Sequence, residues 1–180
     1  MADPRREGAL PVTEELKAEL RVPETFEDFY EREYARVVAL AFTLSGSRSG
    51  AEDLAQEAFL AAHRRWAKIA SYDRPDAWVR RVVSNAAVSL VRRRVAELKA
   101  LARLGHQPVV PELPPSSEEF WDEVRALPRR QAQVLALHYL EDRPVAEIAQ
   151  ILGVAVGTVT AHLHAGRTAL ARRLQAEEEA

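Results

Sequence analysis

Apolar side chains recur at helical spacing along most of the 180 residues, in segments separated by glycine, serine and proline. The first apolar stripe covers residues 26–44 and stops at the Ser-Gly-Ser-Arg-Ser-Gly stretch of residues 45–50. We expect a second helix that is capped by Ser49 or Gly50 and continues to Trp66. The pattern therefore predicts two adjacent amphipathic helices in the first third of the chain.

A third helix is predicted to start at Pro75, because proline suits the first turn of a helix. Three helices of this length can enclose one core, which predicts a first domain at residues 26–104. Residues 1–25 hold few apolar side chains and three prolines, so we interpret them as a flexible N-terminal arm. The predicted buried side of the third helix consists of Trp78, Val79, Val82, Val83, Ala86, Leu90 and Val91.

Residues 105–117, GHQPVVPELPPSS, hold four prolines and indicate a semi-extended linker. The second domain is predicted at residues 118–175, and no strand pattern competes with helices there. Its expected helices are Glu118–Ala126, Arg129–Leu140, Val145–Leu152 and a longer one that opens with Gly157 and Thr158 and runs to Leu174. A short helix, a turn with glycine and a longer helix are typical of a helix-turn-helix.

The helix-turn-helix indicates DNA binding, with the second helix in the major groove. Ala149 would let the helices cross closely, Gly153 would make the turn, and Val159 and Leu163 would anchor the second helix. The candidates for contact with bases are Thr158, Thr160, His162 and His164, with Arg167 further along for a phosphate.

Charge is distributed unevenly although the net charge is only −2. Residues 61–104 hold eleven basic residues against three acidic ones, which favours a polyanion-binding face over an ordinary solvated helix. Single-stranded DNA needs cations for its phosphates and flat or polar side chains for its bases. The cations would be Arg80, Arg81, Arg92, Arg93 and Arg94. Tyr72 and Asn85 would contact the bases. Trp66 and Trp78 are further candidates, although core packing is the commoner role of an aromatic residue on an apolar helical stripe.

A polar patch is predicted on the second helix, where Asp53, Gln56 and Glu57 fall at i, i+3 and i+4. Such a patch suits docking onto a basic protein. The alternative, acidic residues that favour a helix N-terminus, explains Glu52 and Asp53 but leaves Gln56 and Glu57 unexplained.

Both predicted domains resemble those of sigma factors of the extracytoplasmic-function (ECF) family. Residues 51–59, AEDLAQEAF, look like the region 2.2 signature, and residues 78–94 resemble regions 2.3 to 2.4. Residues 127–159, with LPRRQAQVL and PVAEIAQILGVAVGTV, resemble region 4, although Thr160 and His162 stand where the family offers lysine and arginine. Two matches in the expected order indicate an all-α protein with a region 2 bundle and a region 4 helix-turn-helix.

The resemblance implies a sigma factor that directs core RNA polymerase to promoters and helps to open them. Asp53, Gln56 and Glu57 would bind the β′ clamp helices, and the β flap would be a further contact. The predicted base and phosphate contacts of the first domain would serve the minus-10 element, and those of the helix-turn-helix the minus-35 element. An anti-sigma factor would be a further partner. The alternatives are a regulator that binds duplex DNA without polymerase and, less favoured, a helical adaptor.

Several function classes are disfavoured by composition. The chain has no cysteine, no run of about 18 apolar residues and no signal-peptide pattern at its start, so we expect a cytoplasmic protein without a membrane segment. The five histidines are scattered, and His162 and His164 are spaced i, i+2 rather than as an i, i+4 metal pair. We therefore expect no enzyme activity, no cofactor and no metal.

Overall fold

The computed structural model describes residues 24–103 and 118–178; most of the predicted N-terminal arm and the predicted linker lie outside this part of the chain. The described residues contain eight helices and no strand, which confirms the predicted all-α class. The helices are α1 (Phe26–Ser45), α2 (Arg48–His63), α3 (Trp66–Ile69), α4 (Pro75–Arg103), α5 (Glu118–Arg125), α6 (Arg129–Tyr139), α7 (Val145–Leu152) and α8 (Val156–Glu178).

Helix α2 begins earlier than predicted. Its N-cap is Ser47, whose side chain accepts a hydrogen bond from the Gly50 N–H at 3.3 Å, so the prediction of a cap at Ser49 or Gly50 was wrong. The chain can turn this sharply because Gly46, at the end of α1, has φ +65°, a left-handed conformation that glycine adopts without steric cost. Only two residues, Gly46 and Ser47, therefore separate the two helices.

Helix α2 also ends earlier than predicted, at His63, and Trp66 begins the separate short helix α3. The break lets the indole pack against Phe29 and Phe26, with ring centroids 4.9 and 5.5 Å apart. Phe59 lies in the same aromatic cluster, 5.9 Å from Phe29. Aromatic packing with several rings decides this local geometry, since a continuous α2 would carry Trp66 along the helix direction instead.

The buried side of α4 is rotated relative to the prediction. Trp78 and Val82 are only partly buried, and Ala86, Leu90 and Val91 are also of intermediate exposure. The physical reason is that α4 turns a polar stripe, Arg80 and Ser84, into the interior, which a pattern of apolar residues cannot reveal. The side chains that α4 buries are Ala77, Val79, Arg80, Val83, Ser84, Ala87 and Val88.

Helices α7 and α8 form the helix-turn-helix and meet at 106°. Gly153 caps α7 with φ +64°, as predicted, and Val159 is fully buried beneath the crossing. Helix α8 begins at Val156, one residue before the predicted start. Among the described residues no single helix is long and apolar enough to cross a membrane; α7 and residues 156–175 reach that length and composition only as a bent pair.

The two halves of the chain pack against each other. Helices α1 and α4 of the first half contact α6, and α4 also contacts α7 of the helix-turn-helix. The buried apolar residues of both halves form one continuous cluster. Residues predicted to bind DNA therefore have neighbours from the other half of the chain.

Candidate nucleic-acid and polymerase interface

The predicted polar patch lies on the outer face of α2. Asp53, Gln56 and Glu57 are all exposed, whereas Ala58 and Phe59 on the opposite side are buried at 1% and 2% exposure. The helix therefore separates an acidic and amide surface from the core, as the i, i+3, i+4 spacing predicts.

An apolar groove borders this patch, and the sequence analysis missed it. Leu60, four residues after Gln56, is 55% exposed. It helps to line a cavity of about 440 Å³ together with Phe26, Tyr30, Phe59, His63 and Gln56. The signal in the sequence was an apolar side chain at i+4 from the patch, on the polar side of an otherwise amphipathic helix.

The far end of α4 carries the exposed basic run of Arg92, Arg93 and Arg94. Arg81 is also exposed, while the guanidinium of Arg80 is fully buried. Of the predicted cations, Arg81 and the basic run are thus accessible to solvent, whereas Arg80 is enclosed.

Arg80 is enclosed by three carboxylates. Its Nε donates to Glu141 Oε2 at 2.5 Å, and its other nitrogens lie 2.8 Å from Glu33 Oε2 and 3.4 Å from Asp76 Oδ2. Burial alone would lower the pKa of Arg80, but Glu141 and Glu33 raise it above its ordinary value. In this arrangement Arg80 does not face solvent and offers no exposed surface to a phosphate, so its role at the minus-10 element stays a prediction. The reason for its enclosure is charge pairing across elements far apart in sequence.

The ion pairs around Arg80 continue toward the helix-turn-helix. Arg74 Nη2 lies 2.8 Å from Glu147 Oε2, and its Nε lies 3.0 Å from Asp76 Oδ1. Arg143 Nη1 lies 3.0 Å from Glu147 Oε2. The hydrogen bond from Arg74, supported by one from Arg143, lowers the pKa of Glu147. Burial would raise the pKa of Asp76, but Arg74 and Arg80 lower it. The lowered pKa values of Asp76 and Glu147 and the raised pKa values of Arg74 and Arg80 keep these four groups charged at neutral pH.

Asn85, the predicted base contact on α4, is engaged by α6. Its Oδ1 accepts a hydrogen bond from Arg129 Nη2 and another from Gln133 Nε2 at 3.0 Å. Gln133 is fully buried, and burial lowers the pKa of Arg129. The acceptor of the Asn85 amide is thus occupied.

Tyr72 lies in the turn before α4 and is 39% exposed. It borders a cavity of about 530 Å³ that combines aromatic and basic side chains. The basic side chains of this lining, Arg64, Arg65 and Lys68, were counted in the basic block but were not assigned a role by sequence, since nothing local shows that α3 and the turn enclose a space. The lining includes Arg64, Arg65, Lys68, Trp66, Tyr72 and Trp78.

Helix α8 presents its predicted contacts on two flanks. Thr160, His164 and Arg167, spaced i, i+4, i+7, lie on one flank, and Thr158 and His162 lie on the other. All are exposed except His162, which is half-buried. Arg167 is held in place, since its Nε donates to the Tyr139 hydroxyl at 2.5 Å and its guanidinium stacks 5.4 Å from that ring. Residues of α6 were not predicted to help here.

Two family models match the chain in order. Residues 29–97 match region 2 of the sigma-70 family, and residues 117–170 match region 4. The ECF sigma factor SigM of Mycobacterium tuberculosis is 30% identical over 153 residues, which cover 83% of this chain and 76% of that protein. The chain belongs to the ECF family of sigma factors. SigW of Bacillus subtilis, another ECF sigma factor, is 26% identical over 171 residues and aligns with 84% of this chain and 90% of SigW.

Solved structures share the fold. The sigma factor RpoE of Bartonella quintana, solved with the anti-sigma factor NepR, matches with a TM-score of 0.62 and 23% identity over 83% of this sigma factor and 96% of that chain. CnrH, solved with the cytosolic domain of CnrY, matches with a TM-score of 0.60 and 23% identity over 84% of this chain and 88% of the CnrH chain. The matches to both regions and the ECF relatives do not favour the alternative of a regulator that acts without polymerase.

Proposed function

We propose that this sigma factor, which directs RNA polymerase to promoters, binds the β′ clamp helices of core polymerase through Asp53, Gln56 and Glu57. The observation that carries the proposal is the exposure of all three side chains on one face of α2, within the matched region 2. Clamp helices with basic side chains would find two carboxylates and an amide there. The Leu60 groove beside the patch supplies apolar area to the same contact.

The minus-10 element is engaged by region 2 as a melted strand. Arg92, Arg93 and Arg94 are exposed for phosphates, and the cavity beside Tyr72 has the aromatic and cationic lining that an unstacked base requires. Arg81 and Asn85 lie between these two places on α4. They add contacts to the strand when the hydrogen bonds of Arg81 to Leu152 and of Asn85 to Arg129 and Gln133 are broken. The protein works in the cytoplasm, where RNA polymerase is, and performs no catalysis of its own.

The minus-35 element is read by region 4 as duplex DNA. Thr158 and Thr160 lie in the first turns of α8, where a recognition helix meets base edges. His162, His164 and Arg167 follow on the two flanks. The Tyr139 contact that fixes Arg167 favours its use on one defined phosphate. The β flap of the polymerase and an anti-sigma factor complete the proposed set of partners.

Retention on core polymerase tests the docking assignment. The double change Gln56→Ala and Glu57→Lys should abolish retention of the sigma factor in a pull-down, with helical content unchanged by circular dichroism. The matched control is Gln150→Ala with Glu97→Lys, which makes the same chemical changes at exposed positions away from the patch. Full retention of the Gln56/Glu57 variant would refute the assignment.

Promoter opening tests the role of the basic run. Replacing Arg92, Arg93 and Arg94 by alanine should reduce permanganate reactivity of minus-10 thymines while holoenzyme still assembles. Three lost contacts to a single strand should lower the slope of log K against log salt by about 2. The control removes Arg36 and Arg48, exposed arginines on α1 and α2. Unchanged opening in the triple variant would contradict the proposal.

A further inference from the structure

A cavity of about 740 Å³ lies where the second half of α4 meets α5 and α6 of region 4. Its lining is mostly apolar, and none of the described residues that line it is acidic. Leu44, Val88 and Leu127 are buried side chains of this lining, whereas Val95 is 44% exposed. The volume falls in the range of about 300–1,000 Å³ that pockets for small ligands occupy. The chemistry of the lining therefore decides which kind of molecule the cavity suits.

Three arginines, Arg92, Arg125 and Arg129, also line the cavity. Arg125 is already paired, since its guanidinium lies beside Asp122 and donates to the Thr43 carbonyl at 2.8 Å. Arg92 is exposed, and Arg129 has no carboxylate partner in the part of the chain that the structure describes. Two of the three positive charges are therefore available to a ligand.

The Arg129 guanidinium is only partly satisfied by hydrogen bonds. Its Nη2 donates to Asn85 Oδ1, whereas its Nε is buried and has no acceptor among the described residues. Burial lowers the pKa of Arg129, and the neighbouring charges of Arg130 and Arg92 lower it further. A buried donor without an acceptor and cations without a counterion both destabilise the folded protein. An anion beside Arg129 would relieve both effects.

The start of α6 adds positive potential at the same end of the cavity. Pro128 is the N-cap of this helix and supplies no side-chain acceptor to its first N–H groups. Pro128 and Arg129 both line the cavity. The helix dipole therefore favours an anion in the place that the arginines also favour.

Neither an inorganic anion nor an uncharged apolar molecule suits both parts of the lining. Phosphate would satisfy the cations but leave Val91 and Val95 in contact with water, and a hydrocarbon would leave Arg129 without a counterion. The cavity beside Leu60 is also apolar, but Glu27 and Glu31 line it and disfavour an anion. Charge thus distinguishes the two cavities.

We propose that the cavity between α4 and α6 is a binding site for a small amphipathic carboxylate, such as a medium-chain fatty acid. The carboxylate accepts hydrogen bonds from Arg92 and Arg129, since a guanidinium matches the geometry of that group. The alkyl chain covers Val91 and Val95. The site goes beyond the proposed function: Arg92 belongs to the run proposed for the minus-10 element, but the site is tested without DNA or polymerase.

Calorimetric titration of the full chain with decanoate tests the site. We expect one decanoate to bind per chain with a Kd of about 0.1 mM, the affinity expected for a ligand of this size. Acetate has the charge without the alkyl chain, and decyltrimethylammonium has the chain with the opposite charge. Neither should bind in the same concentration range.

Two variants locate the bound decanoate. Arg129→Leu should weaken binding about tenfold, since it removes a charged hydrogen-bond donor. Val95→Asp should weaken binding by at least about tenfold, since it places a second carboxylate beside that of the ligand. The matched controls are Arg48→Leu, at an exposed arginine of α2, and Val156→Asp, at an apolar residue of α8 that is 52% exposed. Both controls should bind decanoate like the wild type.

The proposal is overturned if decanoate does not bind the wild type, if decyltrimethylammonium binds as tightly, or if the folded variants keep wild-type affinity. If Arg129→Leu loses helical content by circular dichroism, Val95→Asp decides, because Val95 is exposed and its replacement leaves the core intact. Transcription with core polymerase separates this inference from the function itself. Normal transcription without decanoate binding removes only the site, and decanoate binding without transcription from any promoter removes only the proposed function.

Discussion

Replacing Arg80 by methionine should destabilise the protein strongly, because it leaves buried carboxylates without a partner. Arg80 has no exposed surface, and its guanidinium pairs with Glu33, Asp76 and Glu141, whose side chains are only 6%, 13% and 6% exposed. Methionine keeps most of the side-chain volume, so packing changes little. The effect therefore isolates the charge.

The loss of one partner from a buried ion pair costs about 3–5 kcal/mol. For a chain of this size each kcal/mol lowers Tm by about 2–4 °C, which gives a decrease of about 6–20 °C. The matched control is Arg93→Met on the same helix, where the side chain is exposed and the change should stay within about 0.5 kcal/mol. Adding Glu33→Gln to Arg80→Met should restore part of the stability, since one unpaired carboxylate is removed.

Urea and thermal unfolding followed by circular dichroism measure these values. If the free energy of unfolding of Arg80→Met lies within about 0.5 kcal/mol of the wild-type value, the reasoning is refuted, because a neutral surface substitution causes a change of about that size. If that stable variant also failed to open promoters, Arg80 would act on DNA alone rather than in the ion-pair cluster.

Three further predictions concern packing, turn geometry and pH. Phe59→Ala should lower the free energy of unfolding in urea by about 3–5 kcal/mol, since Phe59 is only 2% exposed and packs among aromatic rings. A decrease below about 1 kcal/mol would contradict this. Gly153→Ala should lower the free energy of unfolding by about 1–2 kcal/mol, because Gly153 has φ +64° and the added methyl group overlaps the Arg81 guanidinium. An unchanged midpoint of urea unfolding would argue against the left-handed turn. The pKa values of Glu33, Asp76 and Glu147 are lowered in the folded protein, so these carboxylates contribute stability that is complete above their ordinary pKa values of 4.5 and 3.8 and is lost as pH falls through the lowered values. Tm should therefore drop in that acid range, and the drop should be less steep in Glu147→Gln. Equal slopes of Tm against pH in the wild type and in Glu147→Gln would contradict the assignment.

Local sequence patterns were enough to locate most of the helices and the helix-turn-helix. Helix α7 has its predicted bounds, Val145–Leu152, because Pro144 and Gly153 each act on the backbone within one turn. The exposure of Asp53, Gln56 and Glu57 also followed from spacing alone, since the opposite face of the same helix is apolar. Such features depend on neighbours within a few residues, which a periodic pattern records.

The surroundings of Arg80 and Asn85 arise only when the helices pack against one another. Their partners Glu141, Arg129 and Gln133 lie 44 to 61 residues away, and a basic residue in a sequence gives no sign of whether it will face water or a carboxylate. The same holds for Trp66, whose contact with Phe29 breaks the predicted helix. Long-range pairing of charge and aromatic surface is set when helices pack, because its energy depends on distances that local periodicity does not contain.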